Sequence, residues 1–135
     1  MKLLKLSAVA LFMAFAFTAC KKDQVTPSSK TAILGKWSGK LNTVTTNINR
    51  NYYFNIKSEG SELEIRFDDP NSPPFIGTWS LNASNNKFTG TYEDNGVINL
   101  TGTFDVANGK LDGDYEYINS EEDPNPGKFA MTKDK

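Results

Sequence analysis

Between residues 36 and 133 apolar and polar side chains alternate in eight short runs, at about 36–46, 50–58, 61–68, 75–82, 86–93, 96–106, 110–118 and 127–133. No apolar pattern recurs at helical spacing over three turns, and a period of two marks strands with one buried face. Short turn sequences separate the runs. "EGS" at 59–61, "DNG" at 94–96 and "NGK" at 108–110 are hairpin closers, because Asn and Gly tolerate positive φ, and "SNN" at 84–86 is a looser case. Two longer stretches, "DDPNSPP" at 68–74 and "NSEEDPNPG" at 119–127, carry prolines that block strand pairing and are expected to be loops. The pattern predicts an all-β, up-and-down antiparallel meander of about eight strands.

Taken by parity, Phe75, Gly77, Trp79 and Leu81 share one face, as do Phe88, Gly90 and Tyr92, then Ile98, Leu100, Gly102 and Phe104, then Leu111, Gly113, Tyr115 and Tyr117. Four glycines thus face the core at spacings of 13, 12 and 11 residues, each two positions before an aromatic, and Ile33, Gly35 and Trp37 make a fifth copy. A glycine lets a strand coil tightly and leaves a hole that an aromatic can cover, two devices that close a sheet on itself. Closure also removes the edges that make open sheets aggregate. The expected architecture is a small closed or nearly closed barrel.

The first residues change the picture of where this barrel resides. Lys2 and Lys5 precede an apolar run from Leu6 to Ala19, 14 residues long and therefore too short to span a bilayer as a helix. Residues 1–19 read as a signal peptide. Cys20, the only cysteine, follows Phe17-Thr18-Ala19, and this stretch resembles the lipobox of bacterial lipoproteins. The resemblance implies that the Cys20 thiol takes a diacylglyceryl group and becomes the mature N-terminus, so that acyl chains hold the protein on a membrane. Lys21, Lys22 and Asp23 are similar to the export tag of surface lipoproteins in the Bacteroidetes, or form an ordinary solvated linker; the expected location is the outer membrane, on its periplasmic face or at the cell surface. Residues 20–30 would be a flexible tether and 31–135 the folded domain. Without Lys2 and Lys5 the chain keeps 13 basic against 16 acidic residues, a net of −3. With Arg50 and Arg66 as the only arginines after the signal, there is no basic stripe for nucleic acid. A single cysteine allows no internal disulfide.

At "LGKW" (34–37), "GTW" (77–79) and "FTGTY" (88–92) the chain resembles two calycin families, lipocalins and avidins. The lipocalin motif is Gly-x-Trp on the first strand after a short helical turn, which Thr31 to Leu34 would supply. That resemblance implies that Gly35 and Trp37 plug one end of the barrel, with Lys128 the basic residue near the last strand. A lipobox followed by a Gly-x-aromatic meander is similar to the lipocalin-like lipoproteins of Bacteroidetes.

Chemistry narrows the function classes further. There is no histidine, so no Ser-His-Asp or Cys-His arrangement exists. The one thiol is assigned to lipid, and neither a phosphate-cradling loop nor a calcium loop appears. Asp112, Asp114 and Glu116 on the outer face of one strand, and Glu121, Glu122 and Asp123, read as solvated carboxylates without desolvation to raise a pKa. No enzyme, cofactor or metal centre is expected. The inward aromatics, Trp37, Tyr52, Phe54, Phe75, Trp79, Phe88, Tyr92, Phe104, Tyr115, Tyr117 and Phe129, either fill the barrel or line an apolar pocket at its mouth. In the second case Trp79, Tyr92, Tyr115 and Tyr117 would be the ligand-binding residues. The chain therefore reads as a lipid-anchored binding domain for a small apolar ligand. The alternative is an interaction or inhibitor lipoprotein directed at a host protein such as lysozyme or a protease through loops 68–74 and 119–127.

Overall fold

A computed structural model describes residues 28–44, 49–119 and 121–135 of the chain; the stretch read as a signal peptide, Cys20 and most of the stretch read as a tether lie outside the described residues. Eight antiparallel strands follow one another: β1 Gly35–Thr43, β2 Asn49–Ile56, β3 Glu62–Phe67, β4 Phe75–Asn82, β5 Lys87–Glu93, β6 Val97–Asp105, β7 Lys110–Asn119 and β8 Glu122–Lys133. Each pairs with the next, and β8 pairs back onto β1, so the sheet is a closed barrel. A short helix, α1 (Ser29–Ala32), precedes β1, and Ser28 caps it by accepting from the Thr31 N–H. Helical structure is therefore present before Thr31, inside the stretch read as tether.

The alternation read from the sequence is the alternation of burial. Along β5, positions 88, 90 and 92 are buried and 87, 89, 91 and 93 exposed, and β6 repeats the scheme from Ile98 to Phe104. Every strand sends at least one buried apolar side chain inward, from Trp37 and Leu41 on β1 to Phe129 and Met131 on β8. Burial of these groups is the main favourable term, about 1.5–3 kcal/mol for each large side chain.

The glycines act where strands crowd each other. Gly102 and Gly113 are opposite one another in the β6–β7 register. A Cβ on Gly113 would fall 2.2 Å from the Thr101 carbonyl oxygen, and one on Gly102 would fall 2.7 Å from the Asp112 oxygen and 3.0 Å from the Phe129 ring. Only bare backbone permits that coil. The fifth copy behaves differently: Gly35 has φ +114° and no atom nearer than 3.7 Å to its notional Cβ, so it is required for a backbone conformation and not for crowding. Close approach in β1 falls instead at Gly39, 1.9 Å from the Ala130 oxygen by the same measure.

One predicted loop is mostly strand. Residues 122–127 of "NSEEDPNPG" pair with β7, with Glu116 opposite Pro126, Tyr117 opposite Asn125 and a register shift between Tyr117 and Asn119. Proline lacks only the N–H; the Pro126 carbonyl still accepts from the Val44 N–H at 2.9 Å.

Candidate functional site

Because the strands run up and down, one end of the barrel gathers α1 and the turns after β2, β4 and β6, and the other gathers the connections after β1, β3, β5 and β7. At the second end, called the open end because among the described residues no helix lies over it, Tyr52 from β2 and Tyr92 from β5 meet hydroxyl to hydroxyl at 2.8 Å inside the barrel. Tyr115 on β7 lies near Tyr92 in a half-buried position. Tyr117 donates to the Asn95 carbonyl at 3.1 Å and accepts from the Asn119 amide at 3.2 Å. Burial pushes the Tyr52, Tyr92 and Tyr115 hydroxyls above the ordinary tyrosine range, with the neighbouring tyrosines adding to the effect at Tyr52, so all three are neutral donors and acceptors at neutral pH. Phe67 stacks on Tyr52 with centroids 5.0 Å apart, Phe75 lies 6.0 Å from Phe67 and 6.1 Å from Tyr92, and the Arg50 guanidinium covers Phe67 at 4.6 Å. Asp68 holds Arg50 in that place at 2.9 Å.

Of the four residues singled out for ligand binding, Tyr92, Tyr115 and Tyr117 thus share the open end, whereas Trp79 does not join them. Its indole N–H donates to the Lys57 carbonyl at 2.7 Å, beside the turn that links β2 and β3 at the α1 end. There Trp79 borders an external hollow of about 390 Å3 together with Leu34, Leu81, Thr31 and Lys30. Trp37 is fully buried under α1: its indole N–H donates to the Ile33 carbonyl at 2.8 Å and its ring meets Phe104 edge-on at 5.6 Å. The basic residue next to it is Lys133, its register partner on β8, whose ammonium donates to the Ala32 carbonyl. Lys128 is exposed and pairs with Asp114 instead, because its position on β8 faces outward.

The outside of the barrel carries the remaining polar chemistry. Glu64 on β3 takes Lys57, Arg66 and Asn55, and hydrogen bonding by Lys57 leads the causes that lower its pKa to about 2. Arg66 also donates to the Ser72 carbonyl at 2.7 Å, which ties the 68–74 loop to the barrel wall. That loop is further fixed by Asp69, which accepts from the Asn71 N–H at 2.8 Å. A hollow of about 700 Å3, open to solvent, lies over β5 to β8 between Lys87, Thr101, Thr103, Asp112, Asp114 and Lys128. Among the described residues no three carboxylates converge so as to hold a metal ion.

The sequence offered no signal for the Arg50–Phe67 contact or for Glu64 as a hub, since both depend on the register of β2 against β3. Tyr52 was legible only as one inward aromatic among many. Chemically, the arrangement offers hydrogen-bonding tyrosines in a packed interior, and polar grooves outside. No protein-family model matches the chain, and no curated protein is significantly similar to it.

Proposed function

We propose that this protein is a non-enzymatic, lipid-anchored interaction domain that binds a partner protein through its external surface at the open end. The reading rests on one observation above all: the barrel interior is occupied by its own aromatics. Phe54 sits between Phe88, Phe129 and Tyr52 at centroid distances of 6.5, 5.8 and 4.7 Å, and the Tyr52–Tyr92 hydroxyl pair closes the path above them. A ligand entering there would have to displace packed side chains at native density. The fastened 68–74 loop gives the open end a preorganised rim, which lowers the entropic cost of binding a partner. The anchor is Cys20, after the lipobox-like Phe17-Thr18-Ala19.

Thermal unfolding of the full chain with fatty acids, sterols and tetrapyrroles tests the filled-barrel argument. No rise in Tm is expected; a saturable rise, abolished when Phe54 is replaced by Trp, would return the function to the lumen. Cys20→Ala is expected to move the protein from the envelope to the soluble fraction, and retention through high-salt washing would remove the anchor.

A second reading has its own observation. The 390 Å3 hollow beside Trp79, Leu34 and Leu81 admits a small apolar ligand without opening the barrel. Quenching of Trp79 emission in a Trp37→Phe background, by the same panel of compounds, would support it.

A further inference from the structure

Outward positions on β4 to β7 are polar along nearly their whole length: Thr78, Ser80 and Asn82, then Lys87, Thr89 and Thr91, then Asn99, Thr101 and Thr103, then Asp112, Asp114 and Glu116. The exceptions fall at one level, the last outward position before the open end. Ile76, Val97 and Ile118 are 55, 41 and 42 % exposed there. Val97 and Ile118 are a cross-strand pair, and Ile76 stands at the same level on β4, two strands from Val97 with Glu93 of β5 between them. Branched aliphatics suit a strand and a cross-strand pair supports its sheet, but their gathering at one level of an otherwise polar wall leaves exposed apolar surface that a partner can cover.

Charge selects what the surface fits. Glu93 stands within this level, between Ile76 and Val97, with Asp94 and Glu116 beside it, and no lysine or arginine stands on β4 to β7 at that end. The nearest cations are already engaged, Arg66 by Glu64 and Lys128 by Asp114. A second copy of this face, or an anionic lipid surface, would bring like charges together. We infer that the open-end rim of β4 to β7 docks a cationic protein, with the Val97–Ile118 pair as its apolar centre, Ile76 as a further apolar contact beyond Glu93, and Glu93, Asp94 and Glu116 as the steering carboxylates. The inference deepens the interaction reading above and assigns it a face and a partner chemistry.

The test uses the isotope-labelled full-length chain and two probe proteins of similar size, basic lysozyme and acidic α-lactalbumin, at low ionic strength. Lysozyme is expected to shift amide signals at 76, 93–97 and 116–118, and α-lactalbumin to shift none. Ile118→Ser should weaken lysozyme binding roughly tenfold at all salt concentrations. Glu93→Gln with Asp94→Asn should weaken it by a similar factor, mainly through the association rate, and flatten its salt dependence. Equal responses to both probes, or variants without effect, would overturn the inference. A footprint on the 68–74 loop alone would overturn it too while leaving the interaction reading intact, whereas that reading falls separately on ligand-induced stabilisation of the lumen. Concentration-dependent dimerisation abolished by Ile118→Ser would replace the cationic partner with a second copy and likewise overturn it.

Discussion

The two ends of the barrel solve the same problem differently. At the α1 end, the Trp37 indole N–H and the Lys133 ammonium both donate to backbone carbonyls, of Ile33 and Ala32, so each interior polar group has a fixed partner that only accepts. At the open end, hydroxyls answer hydroxyls: either Tyr52 or Tyr92 can donate across their 2.8 Å contact. The first end is locked by a helix laid over it, with Ile33 fully buried. The second, among the described residues, is closed by side chains, and its rim carries carboxylates and exposed aliphatics. Stability and presentation are thus separated along the barrel axis.

The largest effect that would break this contrast is Trp37→Ala. It removes the biggest buried side chain and orphans the Ile33 carbonyl, and should cost about 3–5 kcal/mol in a denaturant titration. A loss under 1 kcal/mol would mean that the α1 end is not the locked one. Gly113→Ala should cost about 1–3 kcal/mol, since its Cβ would meet the Thr101 oxygen and the Gly102 Cα at 2.2 and 2.5 Å, both backbone atoms that cannot step aside. Gly90→Ala should cost less, because its closest contacts, at 3.1–3.4 Å, are the ends of side chains.

Tyr92→Phe sharpens the account of the open end. It leaves the fully buried Tyr52 hydroxyl without its partner and should cost about 1–2 kcal/mol, most of which Tyr52→Phe in the same chain should restore. Both hydroxyls have raised pKa values, so they titrate at lower pH in the unfolded chain, near 10, than in the folded one. Their contribution is complete below about pH 10 and is lost as pH rises above it. Tyr92→Phe should therefore lessen the alkaline decline of stability. The smallest effect is expected at Glu64, under about 1 kcal/mol for a partly exposed network. Its pKa falls from 4.5 to about 2 on folding, so its contribution is present above pH 4.5 and lost as pH falls toward 2. Glu64→Gln should flatten that acid limb; an unchanged profile between pH 5 and 2 would show that the ion pairs do not contribute.

Much of this was legible in the chain itself. Alternation is a local property of extended backbone, and it fixed which side chain of each strand faces in, from Phe88 to Phe104, as well as the hairpin turns at 94–96 and 108–110. Short connections then dictated an antiparallel meander, and inward glycines its closure. What the sequence could not determine is which residues meet across strands, because that depends on register and on how sharply each strand coils. Trp79 shares parity with the open-end aromatics, yet register carries it to the Lys57 carbonyl. Pro126 reads as a strand breaker, yet β7 accepts it as a pairing partner. Tyr52 reads as one aromatic among many until the closed barrel brings its hydroxyl to Tyr92, 40 residues away. Whether eleven inward aromatics leave a cavity is decided by the same non-local geometry: strands that approach closely enough to exclude a Cβ at Gly102 and Gly113 draw the walls together, and the rings then fill the space between them.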